Sequence, residues 1–156
     1  MFAMDNSEDL QIVVFRLSSE EYALPITKVK DINRFMPLTK MPKSPVFMKG
    51  VINLRGEIIP VVDLRERFGL TANEATDDSR IMIVDFNNQL IGIVVDGVTE
   101  VITIPAAEID IPPAASKLNI KQVPGIGKFN NRLLILLDID EVFSAEEVKD
   151  LKGMNG

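Results

Sequence analysis

Residues 50–64, GVINLRGEIIPVVDL, place an Arg-Gly pair between two runs of mostly apolar residues. Val and Ile are enriched in strands because their branched side chains pack well on a pleated surface, and glycine favours a tight turn. The stretch therefore predicts a β-hairpin whose turn lies at Arg55 and Gly56. Arg55 is the one cation within it, so either the turn happens to contain an arginine or the turn serves to present one.

Three further stretches show the same pattern of two apolar runs around a short polar turn. They are residues 11–26, QIVVFRLSSEEYALPI, residues 80–95, RIMIVDFNNQLIGIVV, and residues 128–137, KFNNRLLILL. Each predicts a hairpin, because apolar and β-branched residues surround the residue types that favour turns. A chain made mainly of such hairpins is predicted to belong to the mainly β class.

The C-terminal segment predicts a short α-helix. Ser144 is followed three residues later by Glu147, which is the spacing of a capping box. Val148 and Leu151 then fall on one face of the helix. Residues 64–68, LRERF, predict a second, shorter helical segment.

The sequence also aligns with itself. Residues 50–68 match residues 125–143 at a constant offset of 75, with a glycine, a turn, an apolar strand and a final phenylalanine in both. Residues 15–33 match residues 84–102 at an offset of 69, and their hairpin turns coincide. Because the two matches run in the same order along the chain, they favour a duplicated β unit.

We therefore predict a single domain over residues 1–156 with an internal repeat of approximately residues 11–70 and 80–143. Each half is near the lower size limit for independent folding, so the halves are expected to share a hydrophobic core. Units of about five short strands often close into barrels, which removes exposed strand edges. Within the repeat Arg55 corresponds to Asn130, so the duplicated fold needs a turn residue there but no cation.

The residue types that carry much of enzyme chemistry are absent, because the chain contains no His and no Cys. This removes the commonest general base, the commonest metal ligand and any Cys-ligated metal site. Glu100, Glu108 and Asp110 lack a regular metal-ligand spacing and are interpreted as solvated loop residues. We expect no catalytic residues, no metal and no cofactor, and therefore a binding module and not an enzyme.

Charge and hydropathy restrict the class of partner. The net charge of −6 argues against nucleic-acid binding, and the longest apolar runs are too short to insert across a membrane. Residues 28–55, however, hold seven Lys and Arg and one Asp. They are either solvated loop lysines or a positive surface that steers an acidic partner. The acidic N-terminus lacks a signal-peptide pattern, so we expect a cytoplasmic protein.

Three stretches together resemble the CheW family, the coupling proteins of bacterial chemotaxis. They are residues 47–70, FMKGVINLRGEIIPVVDLRERFGL, residues 20–32, EEYALPITKVKDI, and residues 90–104, LIGIVVDGVTEVITI. The resemblance extends over residues 11–143. It implies two SH3-like five-stranded β-barrels around a common hydrophobic centre, between which strands can be exchanged.

The resemblance also implies a function. CheW proteins are non-catalytic adaptors that bind the histidine kinase CheA and the cytoplasmic tips of methyl-accepting chemotaxis receptors. They act as scaffolds in receptor arrays at the membrane, where copies of CheW can also form rings. Two alternatives remain open: a similar adaptor of another receptor–kinase system, such as one for twitching motility, and an unrelated β-barrel binding module.

Site residues follow from the resemblance position by position. The receptor-binding groove of the family corresponds here to Val29, Asp31, Ile32, Gly50, Arg55 and Val101. The kinase and ring contacts of the family lie partly in the loop after the strand VITI, here residues 108–115, and this implies a kinase or ring contact at Asp110, Ile111, Pro112 and Pro113. The family tends to have Glu where this chain has Asp31. The shorter side chain leaves open whether Asp31 reaches Arg55.

Overall fold

The computed structural model describes residues 9–65, 67–72, 74–112 and 122–153, which form two β-sheets and a C-terminal helix. The elements are β1 (Asp9–Leu17), β2 (Glu20–Pro25), β3 (Val29–Arg34), β4 (Met48–Leu54), β5 (Glu57–Val62), β6 (Arg80–Phe86), β7 (Gln89–Val95), β8 (Gly97–Pro105), β9 (Ile109–Asp110), β10 (Gly125–Phe129), β11 (Arg132–Leu136) and α1 (Ala145–Gly153). The four predicted hairpins are confirmed as β1–β2, β4–β5, β6–β7 and β10–β11.

The two sheets form two small barrels. One sheet has six strands in the order β8-β1-β2-β11-β10-β9, and the other has five in the order β3-β6-β7-β5-β4. The predicted mainly β fold with two SH3-like barrels is therefore confirmed. The six-stranded barrel exceeds the expected five strands because the two-residue β9 pairs with β10.

Each barrel contains strands from both halves of the chain, and these meet in a parallel pair. Val61 of β5 lies beside Gly92 of β7 in one barrel, and Leu136 of β11 lies beside Ala23 of β2 in the other. The same offsets of 75 and 69 that define the sequence repeat relate these two pairs. The pairing supports the proposed duplication, which stays a prediction.

A central hydrophobic cluster lies between the barrels, and a separate cluster fills each barrel. Along β1, Val13, Phe15 and Leu17 enter the central cluster, whereas Ile12 and Val14 enter the interior of the six-stranded barrel. Successive strand side chains point to opposite faces, so both faces of β1 are buried. Burial on both faces explains the nearly continuous apolar sequence of this strand. The strand β6 divides its side chains in the same way, with Met82, Val84 and Phe86 in the central cluster and Ile81 and Ile83 in the five-stranded barrel.

The C-terminal helix begins with the predicted capping box, which is confirmed. The Ser144 N–H donates to Glu147 Oε1 at 2.8 Å, and the Glu147 N–H donates to Ser144 Oγ at 3.2 Å. Leu151 is fully buried and Val148 packs against the central cluster. The helix α1 therefore covers one side of the shared core.

In the short helix expected at residues 64–68, Glu66 lies outside the described residues, and the residues around it form a single hydrogen-bonded turn. The Phe68 N–H donates to the carbonyls of Leu64 and Arg65, at 3.1 and 3.2 Å. The Leu70 N–H then donates to the Arg65 carbonyl at 2.8 Å, and Gly69 has a φ of 73°. A glycine in this left-handed conformation ends a helical turn, so the segment does not continue as a helix.

Loss of a large side chain from the central cluster should destabilise both barrels together. Phe86 is fully buried, and its ring lies edge-on to that of Phe143 with centroids 5.5 Å apart. We expect Phe86→Ala to lower the free energy of unfolding by about 3–5 kcal/mol, because it opens a cavity in the core. Urea unfolding followed by circular dichroism should show one transition in the wild type and in the variant.

The control variant is Leu133→Ala, which truncates a side chain that is 64% exposed. It should change the free energy of unfolding by about 0.5 kcal/mol or less. Two separate transitions, or equal effects of both variants, would contradict a core shared by the barrels.

Candidate functional site

Arg55 lies at the tip of the β4–β5 hairpin in the left-handed backbone conformation, with φ of 51°. In the β6–β7 and β10–β11 hairpins the same turn position is taken by Asn87 and Asn130, each with φ of 48°. Asn tolerates this conformation, whereas for other residues with a side chain it costs about 1–2 kcal/mol. The geometry of the turn alone therefore does not account for the arginine.

The Arg55 side chain forms an ion pair with Asp31, so the shorter acid does reach it. Arg55 Nη2 lies 2.9 Å from Asp31 Oδ2, and the side chains are 78% and 26% exposed, respectively. Asp31 Oδ1 accepts the Ile32 N–H at 2.9 Å, which orients the carboxylate. An exposed pair of this kind contributes only about 0.2–1 kcal/mol, and most of the guanidinium stays open to solvent. The pair therefore presents a positioned cation at the surface.

The apolar side chains predicted for the receptor groove differ in exposure. Val29 is half-buried and packs against the central cluster, whereas Ile32, on the same strand β3, is 40% exposed. Val101 is 50% exposed on β8, which belongs to the six-stranded sheet. The structure thus brings Asp31 and Arg55 into contact and places Val101 in the other barrel. The receptor role of these residues stays a prediction.

Gly50 has a structural reason to be glycine. Its φ is 156°, and a Cβ at this position would lie 2.7 Å from the Thr39 carbonyl oxygen and 2.9 Å from Leu38 Cβ. The neighbouring Val51 exchanges two backbone hydrogen bonds with Thr39, at 2.8 and 3.0 Å, so the two segments are held closely together. Gly50 therefore permits the close approach of residues 38–39 to β4, whether or not a partner also contacts it.

The predicted kinase or ring contact lies in the segment after β8, at the end of the described residues 74–112. Asp110, in β9, forms an exposed ion pair with Lys128 at 3.2 Å. Ile111 is 73% exposed and Pro112 is half-buried. Pro113 lies outside the described residues. The apolar side chain of Ile111 is thus available on the surface beside a charged pair.

A buried polar cluster around Arg65 was not predicted from the sequence. Arg65 donates to both carboxylate oxygens of Asp63, from Nε at 3.0 Å and from Nη2 at 2.7 Å. Its Nη1 donates to Asp96 Oδ1 at 2.8 Å, and Asp96 Oδ2 accepts the N–H of Ser18. Ser18 is in the β1–β2 turn of the six-stranded barrel, and Asp63 follows β5 of the other. The cluster therefore ties the two barrels together.

The charges in this cluster compensate each other. Burial by itself would raise the pKa of the Asp63 carboxyl, but the hydrogen bonds and the charge of Arg65 together lower it below its ordinary value. Asp63 therefore stays ionised although it is only 6% exposed. One sequence signal could have indicated the cluster. Asp63 recurs in the repeat as Asp138, whereas Arg65 does not recur, so the Asp-x-Arg spacing is specific to the first half.

Asp138 is a buried carboxylate of a different kind. It follows β11 as Asp63 follows β5, but among the described residues its side chain accepts a hydrogen bond only from the Asp140 N–H, at 3.2 Å. Burial raises the pKa of the Asp138 carboxyl, and the neighbouring Asp140 charge adds to that effect. Its ionised form is therefore less favourable in the folded protein than in the unfolded chain.

Two searches of the described residues bear on other kinds of site. No group of three or more acidic, His or Cys side chains in this part of the chain converges to hold a metal ion. Of the described helices, none is long and apolar enough to cross a membrane.

Comparison with known proteins identifies relatives along most of the chain. The CheW-like domain matches residues 11–147. The chain is 37% identical over 142 residues to the chemotaxis protein CheW of Helicobacter pylori, covering 91% of this chain and 86% of that protein. It is 36% identical over 137 residues to the chemotaxis protein CheW of Bacillus subtilis, covering 87% and 88%. The crystal structure of the scaffolding protein TtCheW from Thermoanaerobacter tengcongensis matches with a TM-score of 0.81 at 38% identity, over 90% of this chain and 96% of that chain.

Removing the guanidinium from the polar cluster should strongly destabilise the fold. Arg65→Met leaves Asp63 and Asp96 without their cation, and such a loss costs about 3–5 kcal/mol. Because the folded-state pKa of Asp63 is lowered, this stabilisation is present above the ordinary pKa and is lost as pH falls through the folded-state pKa. Urea unfolding at pH 7 and at the lowest pH at which the wild type still folds should show that the cost shrinks with acidification.

The double variant Asp63→Asn with Arg65→Met provides the control for charge. It removes one of the two stranded carboxylates and should recover part of the stability lost in Arg65→Met. A loss below about 1 kcal/mol in the single variant at pH 7 would contradict a buried, fully paired arginine.

Neutralising Asp138 should have the opposite effect. Its raised pKa means that ionisation weakens the folded state as pH rises through the folded-state pKa. We expect Asp138→Asn to exceed the wild-type stability at pH 7, since it removes the buried charge while the amide oxygen can still accept the Asp140 N–H. The gain should vanish at low pH, where the wild-type carboxyl is protonated. Asp150→Asn, at an exposed position of α1, is the matched control and should give no gain; an equal gain there would contradict the role of burial.

Proposed function

This chain belongs to the CheW family, and from that membership we propose that it is a non-catalytic adaptor that couples methyl-accepting chemotaxis receptors to the histidine kinase CheA. The matched relatives are named chemotaxis proteins and a scaffolding protein, and the similarity covers about nine-tenths of the chain. We place the protein in the cytoplasm, recruited to receptor arrays at the membrane. Its partners there are the receptors, CheA and further CheW copies in rings.

The structural observation that carries this proposal is the position, exposure and pairing of Arg55. It occupies a turn position that Asn fills elsewhere in the same fold, it is largely exposed, and a carboxylate holds it in place. Arg has five N–H donors, and the pair with Asp31 uses the Nη2 group. The remaining donors can bind carboxylates or backbone carbonyls of a receptor helix. A cation that the turn does not need is thus preorganised for a partner.

The apolar contacts of the receptor surface are proposed to come from Ile32 and Val101. Both are half-exposed, and a helical hairpin binds by placing an apolar stripe against such side chains with a few polar anchors. In this arrangement Val29 supports the surface from the core side, and Gly50 keeps β4 close to the segment that precedes it. Asp31 and Arg55 then form the polar anchor.

Contact with CheA or with neighbouring copies is proposed at the loop that contains Asp110, Ile111, Pro112 and Pro113. Ile111 contributes the exposed apolar side chain, and Asp110 with Lys128 contributes a charged pair beside it. Asp110 lies in β9 of the six-stranded barrel, whereas Arg55 and Asp31 belong to the other. The polar anchor for the receptor and the proposed kinase contact would then lie on different barrels.

The variant Arg55→Asn tests the receptor contact while keeping the turn. Asn adopts the same backbone conformation at the two equivalent positions, so the melting temperature should change little or rise. Pull-down by receptor signalling fragments should fall about tenfold or more, since a charge-assisted hydrogen bond contributes about 1.5–3 kcal/mol. Binding to CheA, measured by titration calorimetry, should be nearly unchanged.

The control is Lys149→Gln, which removes one exposed cation from α1 and should leave both interactions intact. Equal loss of receptor and CheA binding in Arg55→Asn would refute a specific receptor contact at this residue. Wild-type protein that co-sediments with neither receptor fragments nor CheA would refute the adaptor function itself.

A further inference from the structure

The arginines of this chain divide into two groups. Four of the seven form ion pairs with carboxylates: Arg55, Arg65, Arg67 and Arg132. In the described part of the chain the other three, Arg16, Arg34 and Arg80, have no carboxylate within ion-pair distance. All three line two adjoining clefts that share Arg80. Unpaired guanidinium groups are therefore concentrated at one place on the surface.

Arg34 and Arg80 lie directly opposite each other. They are cross-strand partners at the end of the antiparallel β3–β6 pair. Like charges in this position destabilise a sheet, because the two side chains leave the same face only a few ångströms apart. A bound anion would convert the repulsion into attraction. The pair is thus costly for the free protein and favourable for an anionic ligand.

The cleft beside this pair has a volume of about 540 Å³ and is lined by Arg34, Phe35, Thr76, Asp77, Ser79 and Arg80. The adjoining cleft of about 280 Å³ contains Arg16, Arg80 and Asp78. Although Asp77 and Asp78 line these clefts, neither carboxylate pairs with an arginine among the described residues. The larger cleft, with two arginines and one aspartate, keeps a net charge of +1.

The turn at residues 76–79 makes the cleft rich in donors. Ser79 Oγ accepts the Thr76 N–H at 2.8 Å, and Thr76 Oγ1 accepts the Asp78 N–H at 3.2 Å. Each hydroxyl thus accepts from the backbone, and its hydrogen remains available to donate. Arg80 Nη1 donates to the carbonyls of Asp77 and Ser79 at 2.7 and 2.8 Å, which fixes this guanidinium, while Nη2 and Nε have no hydrogen-bond partner within the described residues.

We propose that this cleft binds a small-molecule phosphate dianion between Arg34 and Arg80. Guanidinium groups bind phosphate with paired N–H donors, and the hydroxyls of Thr76 and Ser79 supply donors from a third direction. Donors that arrive from β3, β6 and the turn suit a tetrahedral anion better than a planar carboxylate. The volume exceeds that of inorganic phosphate, and the exposed Phe35 ring offers a surface for the organic part of a phosphomonoester.

Titration followed by phosphorus NMR, at constant ionic strength, tests this site on the full chain. Inorganic phosphate and adenosine monophosphate are the two probes, and they distinguish the free anion from a phosphomonoester. Saturable binding of either is expected in the wild type, with tighter binding of the monoester if Phe35 contributes. Arg34→Gln should weaken it about tenfold or more, because charge-assisted hydrogen bonds are lost.

Arg34 is the decisive position because its side chain forms no hydrogen bond or ion pair with the described part of the chain, so its replacement should leave the fold intact. Arg80→Gln should also reduce binding, but it removes contacts that hold the turn. Lys149→Gln removes the same charge from α1 and should bind as the wild type does. The proposal is overturned by unchanged binding in Arg34→Gln, by equal weakening in Lys149→Gln, or by binding of a hexaglutamate peptide where neither phosphate binds.

Discussion

The strands β1 and β6 are buried on both faces, and the rest of the structure depends on this constraint. One face of each strand fills its own barrel, and the other face fills the central cluster between the barrels. Because each barrel buries side chains of the other in the central cluster, we expect the two sheets to unfold together as one unit. Most large apolar side chains are thereby committed to packing. Hairpin turns, edge strands and loops are what remain for partners.

Polar contacts add a defined geometry to this shared core. Arg65 links Asp63 and Asp96 at the junction of the barrels. Lys28 pairs with Asp140 at 2.7 Å at another point of the same junction. Buried pairs recover their desolvation cost only when every charge is satisfied, so their net contribution to stability is small while their disruption is costly. They therefore hold the barrels in one arrangement, and surfaces on both barrels keep a constant relation to each other.

The same residue type serves different purposes in different environments. Arg65 is buried and saturated by carboxylates, Arg55 is exposed and held by one carboxylate, and Arg34 lies beside a like charge without a carboxylate partner among the described residues. Pairing and burial remove the first from any role in binding. The other two keep free donors at the surface, one at a hairpin tip and the other at a cleft. The environment of each side chain, and not its chemistry alone, separates structural from binding arginines.

The sequence by itself determined the hairpins, the capping box of α1 and the exceptional position of Arg55, because each depends on residues close together in the chain or on the internal repeat. It did not reveal how strands are divided between the barrels, since parallel pairs such as Val61 with Gly92 depend on long-range packing. The contacts of Arg55 with Asp31 and of Arg65 with Asp96 also required the tertiary structure. Each joins charges that are distant in sequence, and only the closed barrels bring them within hydrogen-bonding distance.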